Sequence, residues 1–199
     1  MPISHRFGAV TSLVALVLAA GCTARSSGSP QPQPSSGSAT TATSDDEPLL
    51  ARPRDIGLGG TNPCELWTAG QLAELGLSTS PRGGVTSTGD NICHFDAQDQ
   101  QPPYLVLSVS TIPDHDTKDF YLPHRGHTIV DIAGFPAVRQ QSEIGSPTPC
   151  QVYVSTAPGQ TLEISLHYSS TKNHLTIEQA CELTVKAATL AMQTLQKQR

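Results

Sequence analysis

Four cysteines, Cys64, Cys93, Cys150 and Cys181, restrict the folds open to this 199-residue chain more than any other feature. In an exported protein an even set of cysteines reads as disulfides, so the fold must bring these positions together in pairs. Three connectivities are possible, and spacing alone does not choose among them. Cys64–Cys93 with Cys150–Cys181 is the favoured set, because it ties each half of the domain to itself. Each bond would then close a loop of roughly thirty residues and stabilise the fold by about 3–4 kcal/mol through chain entropy. A structural zinc site is the alternative, but such sites use close pairs of the Cys-x-x-Cys kind. These cysteines stand far apart, so no metal is expected.

Export is read from the N-terminus. Gly8 to Gly21 is almost wholly small or apolar, around Leu13-Val14-Ala15-Leu16-Val17-Leu18, and His5 and Arg6 precede it. That is the order of a secretory signal, and the run is too short to span a bilayer, which takes about 20 apolar residues. Leu18-Ala19-Ala20-Gly21-Cys22 resembles a lipobox, with Ala19 standing where Leu is usual. The expectation is a signal peptide over 1–21 and a lipid on Cys22. That lipid would hold the chain on the extracytoplasmic face of the cell membrane. An ordinary signal peptide that happens to precede a cysteine is the competing reading. Each buried methylene contributes about 0.8 kcal/mol, so one acyl chain holds weakly and several hold firmly.

From Thr23 to Asp46 the chain is Ser, Thr, Pro, Gln, Gly and Ala with almost nothing apolar. Such a segment cannot offset its ordering entropy, so a disordered tether is expected over 22–60. An O-glycosylated stalk, with Thr40, Thr41 and Thr43 as acceptors, is the sharper version. The folded domain is assigned to 61–199, its start falling between Leu49 and Thr61. The net charge of −5 and the absence of a Lys/Arg cluster speak against nucleic acid as a partner.

Within the domain the pattern predicts an α+β fold: an antiparallel sheet with a short N-terminal helix and a long C-terminal helix. Thr68 followed by Gln71 is a capping-box pattern, and Gly76 is placed to stop the helix it starts. Leu105, Leu107 and Val109 alternate with Val106, Ser108 and Ser110, and Leu162, Ile164 and Leu166 alternate with Glu163, Ser165 and His167. Cys150–Thr156 and Thr161–Tyr168 read as a hairpin joined at Pro158-Gly159. Short strands are expected at Asn91–Phe95, Thr128–Ile132 and Pro136–Gln140, the last two joined by a turn at Gly134. Ser80 to Asp90 reads as turn. Thr176 to Lys197 lacks Gly and Pro, and Ala180, Cys181, Thr184, Ala187, Ala188, Ala191 and Leu195 recur at helical spacing. Cys181 then faces inward, toward Cys150 on the strand below.

Several of these segments together resemble one family. They are Asn62-Pro63-Cys64-Glu65-Leu66, Cys93-His94-Phe95, Ile132-Ala133-Gly134-Phe135-Pro136-Ala137, Cys150-Gln151-Val152-Tyr153-Val154 and Ala180-Cys181-Glu182-Leu183-Thr184. The family is one of actinobacterial cell-envelope lipoproteins built on a domain of unknown function, DUF3558, as in the mycobacterial lipoproteins LprB and LprC. The resemblance spans Asn62 to Leu195, with Phe95 where the family more often has Trp. It implies an envelope lipoprotein with two disulfides, and no catalytic motif.

Direct inspection finds no catalytic motif either. There is no Gly-x-Ser-x-Gly, His-Glu-x-x-His, Ser-x-x-Lys or phosphate loop. Asp114-His115-Asp116, Asp119, His124 and His127 gather in one segment, but their spacing matches no standard metal site. His94 and His167 read as sheet residues and Trp67 as core. No cofactor, metal or catalytic residue is expected. The chain reads as a binding module, held to the membrane through Cys22, with an envelope protein or a small apolar ligand as its partner. The alternative is a metal-dependent or other hydrolase with a site near 114–127.

Overall fold

The computed structural model describes residues 51–98, 104–122, 126–143, 145–169 and 175–199. Gly8–Gly21, Cys22, the tether as far as residue 50, and His124 of the histidine-rich segment lie outside the described residues.

Seven strands form one antiparallel sheet: β1 (Arg82–Val85), β2 (Asn91–Asp96), β3 (Leu105–Ile112), β4 (His127–Ile132), β5 (Phe135–Gln141), β6 (Cys150–Ala157) and β7 (Gln160–Tyr168). Their spatial order is β1-β2-β3-β7-β6-β5-β4. Two meanders, β1–β3 and β4–β7, therefore meet at the β3–β7 seam, where Leu107 lies opposite Leu166 and Val109 opposite Ile164. The segment after β3 carries the chain to the far edge.

The short helix α1 (Ala69–Glu74) starts with the expected capping box, Thr68 accepting from the Gln71 amide and Gln71 reaching back to the Thr68 amide. It stops at Gly76, whose φ of +68° lets the Leu77 amide reach back to the Leu72 carbonyl at 2.9 Å. The long helix α2 (Ile177–Gln198) opens with a second capping box, Thr176 with Gln179. Its buried stripe of Ala180, Thr184, Ala187, Ala188 and Ala191 lets it lie close on β6 and β7. The β4–β5 turn places Ala133 and Gly134 at φ +55° and +87°, the pair of left-handed residues that matches the twist of a two-residue hairpin.

The core lies between α2, α1 and one face of the sheet. Trp67 sits edge-on to Phe95, centroids 4.8 Å apart, and its indole N–H donates to the Ala187 carbonyl at 2.9 Å. Ile56 and Leu58 are core residues, and the Ile56 amide donates to the Thr156 carbonyl at 2.7 Å. Packed structure therefore begins ahead of Thr61, because two apolar side chains in this stretch are buried in the core beside the end of β6. Cys64 is bonded to Cys93, and Cys150 to Cys181, the favoured pairing. The first bond clips a 3-10 turn at Pro63–Glu65 to β2, and the second clips α2 to β6.

One strand differs from expectation. β1 lies inside the stretch read as turn, and all four of its residues are exposed. With Gly83 and Gly84 at its centre it shows no alternation. Its place is set by pairing with β2 and by the Arg82–Asp96 ion pair.

Candidate functional site

The face of the sheet turned away from α2 has no α-helix over it among the described residues; only the 3-10 turn Thr117–Phe120 packs there, against β5 and β6. Its composition follows from strand alternation: where β3 and β7 send Leu107, Val109, Ile164 and Leu166 to the core, they send Ser108, Ser110, Glu163, Ser165 and His167 to the opposite face. The register then aligns these residues into rows. One row crosses the whole sheet: Arg82, His94, Ser108, Ser165, Gln151, Gln140 and His127, one polar residue from each strand. Beside it run Ser110, Glu163 and Tyr153, and on the other side Asp96, Val106 and His167.

The centre of this face is buried. Ser108 is 0% and Ser165 3% exposed. Their hydroxyls are satisfied by imidazoles: His94 Nδ1 lies 2.7 Å from Ser108 Oγ, and His167 Nε2 lies 3.0 Å from Ser165 Oγ. His167 Nδ1 in turn lies 2.8 Å from Thr148 Oγ1, ahead of β6. Gln151 Nε2 donates to Glu163 Oε1 at 2.9 Å.

Burial sets the electrostatics. It holds His167 below the usual imidazole range, with the His94 ring adding to the effect. His94 is lowered by its own burial and by the Arg82 guanidinium, against an opposing pull from Asp96. Burial pushes the Glu163 carboxyl up, with Asp90 adding and the Gln151 and Ser110 side chains opposing. Tyr153 is raised by burial and by Glu163. The face is thus built from groups that burial holds toward their neutral forms.

Serine, histidine and a third oxygen in series are also the hydrogen-bonding order of a base-activated nucleophile. Here the third group, Thr148, is a neutral hydroxyl and offers no countercharge to an imidazolium. Ser165 is also shielded from any incoming carbonyl. The bonds fall into two polar sets, His94 with Ser108 joining β2 to β3, and Ser165 with His167 and Thr148 joining β7 to the approach to β6.

At the β2–β3–β7 end of this face lies a hollow of about 550 Å³ lined by Arg82, Asp96, Ala97, Tyr104, Leu105 and Ser169. Arg82 holds Asp96 through two hydrogen bonds, 2.9 and 3.1 Å. A separate cleft of about 380 Å³ lies at the start of α2, with Pro149, Tyr168, Leu175 and Ile177 among its walls and Glu143 and Glu178 beside them.

The segment from Asp114 to His127 has structural duties. Asp116 caps a 3-10 turn at Thr117–Phe120 and accepts from the Gly159 amide at 3.2 Å. Thr117 and Thr161 hydroxyls lie 2.9 Å apart, and Phe120 stacks on Tyr153 at 4.3 Å. His127 Nδ1 lies 2.8 Å from the Phe120 carbonyl and 3.0 Å from the Leu122 amide. The segment's described residues, 114–122 with His127, form a latch across one end of the polar face. Among the described residues no three His, Cys, Asp or Glu side chains converge as a metal site.

Sequence inspection treated His94 and His167 one at a time and did not bring them together. The signal that could have done so is polar parity in β2, β3 and β7 at once: His94, then Ser108 and Ser110, then Glu163, Ser165 and His167.

Fold and site together define a disulfide-clipped α+β domain whose single sheet carries a hydrogen-bonded polar face. The family model described as a protein of unknown function, DUF3558, matches residues 17–194, and the chain belongs to that family. Neither the curated proteins nor the solved structures give a match. No helix among the described residues is long and apolar enough to cross a membrane.

Proposed function

We propose that this chain is a lipoprotein of the actinobacterial cell envelope, of the kind of LprB and LprC. In this reading Cys22 carries the lipid, the chain stands on the extracytoplasmic face of the cell membrane, and its domain is a binding module rather than an enzyme. The small-residue run ending at Cys22, the tether-like composition after it and two disulfides support the anchor and the compartment.

One observation carries the binding reading: the polar row across all seven strands on the face that α2 does not cover. Polar side chains removed from water cost free energy unless they are bonded, and at the centre of the row Ser108 is bonded to His94, Ser165 to His167 and Gln151 to Glu163. That makes a rigid face able to present hydrogen-bonding groups to an occupant. A small apolar ligand is the second reading, favoured by the cleft at the start of α2. A hydrolase near 114–127 has less support, since Asp116 and His127 are engaged in holding the latch.

Two measurements test the proposal. Metabolic labelling with an alkyne palmitate should tag the wild-type chain and not Cys22→Ser, which should leave the membrane fraction yet stay folded. Photo-crosslinking in cells from position 151 on the polar face should capture a partner or ligand that position 182 on α2 does not. Equal capture from both positions would sink the binding assignment.

A further inference from the structure

We infer that the hollow bounded by Arg82, Asp96, Tyr104 and Ser169 is a binding site for a neutral saccharide; the inference rests on the reading of the domain as a binding module and names its ligand. Three observations converge. The first is charge. The hollow's one guanidinium and one carboxylate are paired with each other at 2.9 Å, so it offers donors and acceptors with no net charge. An anion would meet Asp96 and a cation would meet Arg82, whereas a hydroxyl both donates and accepts and suits the pair. The side chains are 62% and 35% exposed, so both can still reach an occupant.

The second is strain. Tyr104 adopts φ +39°, a conformation that an aromatic residue rarely takes. Its carbonyl is tied to β7's end, where the Ser169 amide and hydroxyl both donate to it, at 2.8 and 2.7 Å. Sparsely populated backbone conformations of this kind cluster at ligand clamps. The effect here is to keep an aromatic residue in the wall of a polar hollow. A sugar ring presents C–H groups on its face and hydroxyls at its edge, which suits an aromatic wall beside an Arg–Asp pair.

The third is size and support. About 550 Å³ falls within the range of small-molecule sites. Arg82 opposes His94 in register, and Asp96 shares a row with His167, so the buried network stiffens the floor from which both charged residues project.

Saturation-transfer NMR on the full chain in detergent tests this with maltotriose, cellotriose, chitotriose and mannotriose at millimolar concentration. Trigalacturonate and tri-glucosamine serve as the charged controls. At least one neutral trisaccharide should receive saturation, and more strongly than either control. The affinity should fall by about tenfold or more, near 1.4 kcal/mol, in Asp96→Ala and in Tyr104→Gly. Tyr104→Gly separates binding from folding: glycine tolerates the positive φ, so the variant should unfold no earlier than wild type while losing the ligand. Absence of transfer to every neutral sugar, preference for a charged trimer, or undiminished binding in both variants would each overturn the inference. Palmitate labelling and crosslinking do not enter this readout. A chain that binds sugar without a lipid, or that captures a protein without binding sugar, would separate failure of one proposal from failure of the other.

Discussion

Removing the Cys150–Cys181 bond should cost this domain a large part of its stability, and the size can be worked from the chain. The bonded residues are 31 apart. Closing a loop of that length removes about 12 cal/mol/K from the unfolded ensemble, or ~3.7 kcal/mol near room temperature. Cys64–Cys93, separated by 29, comes out almost the same on entropy alone. Packing separates the two bonds. Cys150 and Cys181 are 0% and 4% exposed, whereas Cys64 is only half-buried, so the β6–α2 pair also loses core contacts on replacement. A Cys150→Ala/Cys181→Ala variant should therefore lose about 4 kcal/mol, against a total of about 5–15 kcal/mol for an ordinary domain. Urea unfolding of wild type and variant, with and without reductant, measures this. Reduction should bring wild type down toward the variant holding only Cys64–Cys93, and below it once both bonds open. The m-value should rise as the unfolded chain expands. If the variant lost less than about 1 kcal/mol, the chain-entropy account of how α2 is held would be refuted. A wild-type midpoint unmoved by verified reduction would refute it as well.

Trp67→Phe removes the indole bond to the Ala187 carbonyl and shrinks a buried ring, and should cost about 1–3 kcal/mol in thermal unfolding. Gly126→Ala should destabilise more than Gly134→Ala. Both sit at positive φ, which costs a side chain about 1–2 kcal/mol, but at Gly126 the new Cβ would also stand 2.8 Å from the Gln141 carbonyl oxygen. The polar face predicts a pH dependence with a definite sign. His94 and His167 are held below their ordinary value, so the unfolded chain takes up protons first and stability falls as pH drops below about 6.5. Glu163 is raised and acts oppositely, binding its proton first in the folded chain, so stability is lost as pH rises from about 4.5 through its raised value. The urea midpoint followed across this range should lose its acid-side decline in a His94→Gln/His167→Gln variant and keep it in Glu163→Gln.

Much of the fold was legible because its elements carry strong local signals. The alternation of Leu162, Ile164 and Leu166 marked β7, and the small-residue spacing from Ala180 to Leu195 marked α2. Thr68 with Gln71 marked α1, and Gly134 its hairpin. These are all short-range features. The order of strands was not legible. Nothing local says that β3 pairs with β7, more than fifty positions on by the register of Leu107 with Leu166, rather than with β4. β1 was missed for a related reason. Its exposed Arg-Gly-Gly-Val run has no periodicity, and it is a strand only because β2 offers it an edge and Asp96 holds its arginine.

The site was illegible for a deeper reason. Alternation places Ser108, Ser165 and His167 away from the core, and on a sequence that reads as a face turned to water. Whether such a face meets water or itself depends on which strands are neighbours. Once β3 and β7 are adjacent, Ser108 and Ser165 stand side by side, and His94 and His167 close over their hydroxyls from either flank. The central hydroxyls are then too buried to touch an occupant. Their bonds instead immobilise the residues around them, since His94 opposes Arg82 in register, and His167 lies in the row of Asp96 and two residues ahead of Ser169. The network fixes geometry and the rim makes contact, a division also seen where supporting shells hold ligand-binding groups in place. Substitutions at Ser108 or Ser165 should accordingly disturb stability first and binding only through it. Those at Tyr104, Arg82 or Asp96 should disturb binding with little effect on the unfolding midpoint.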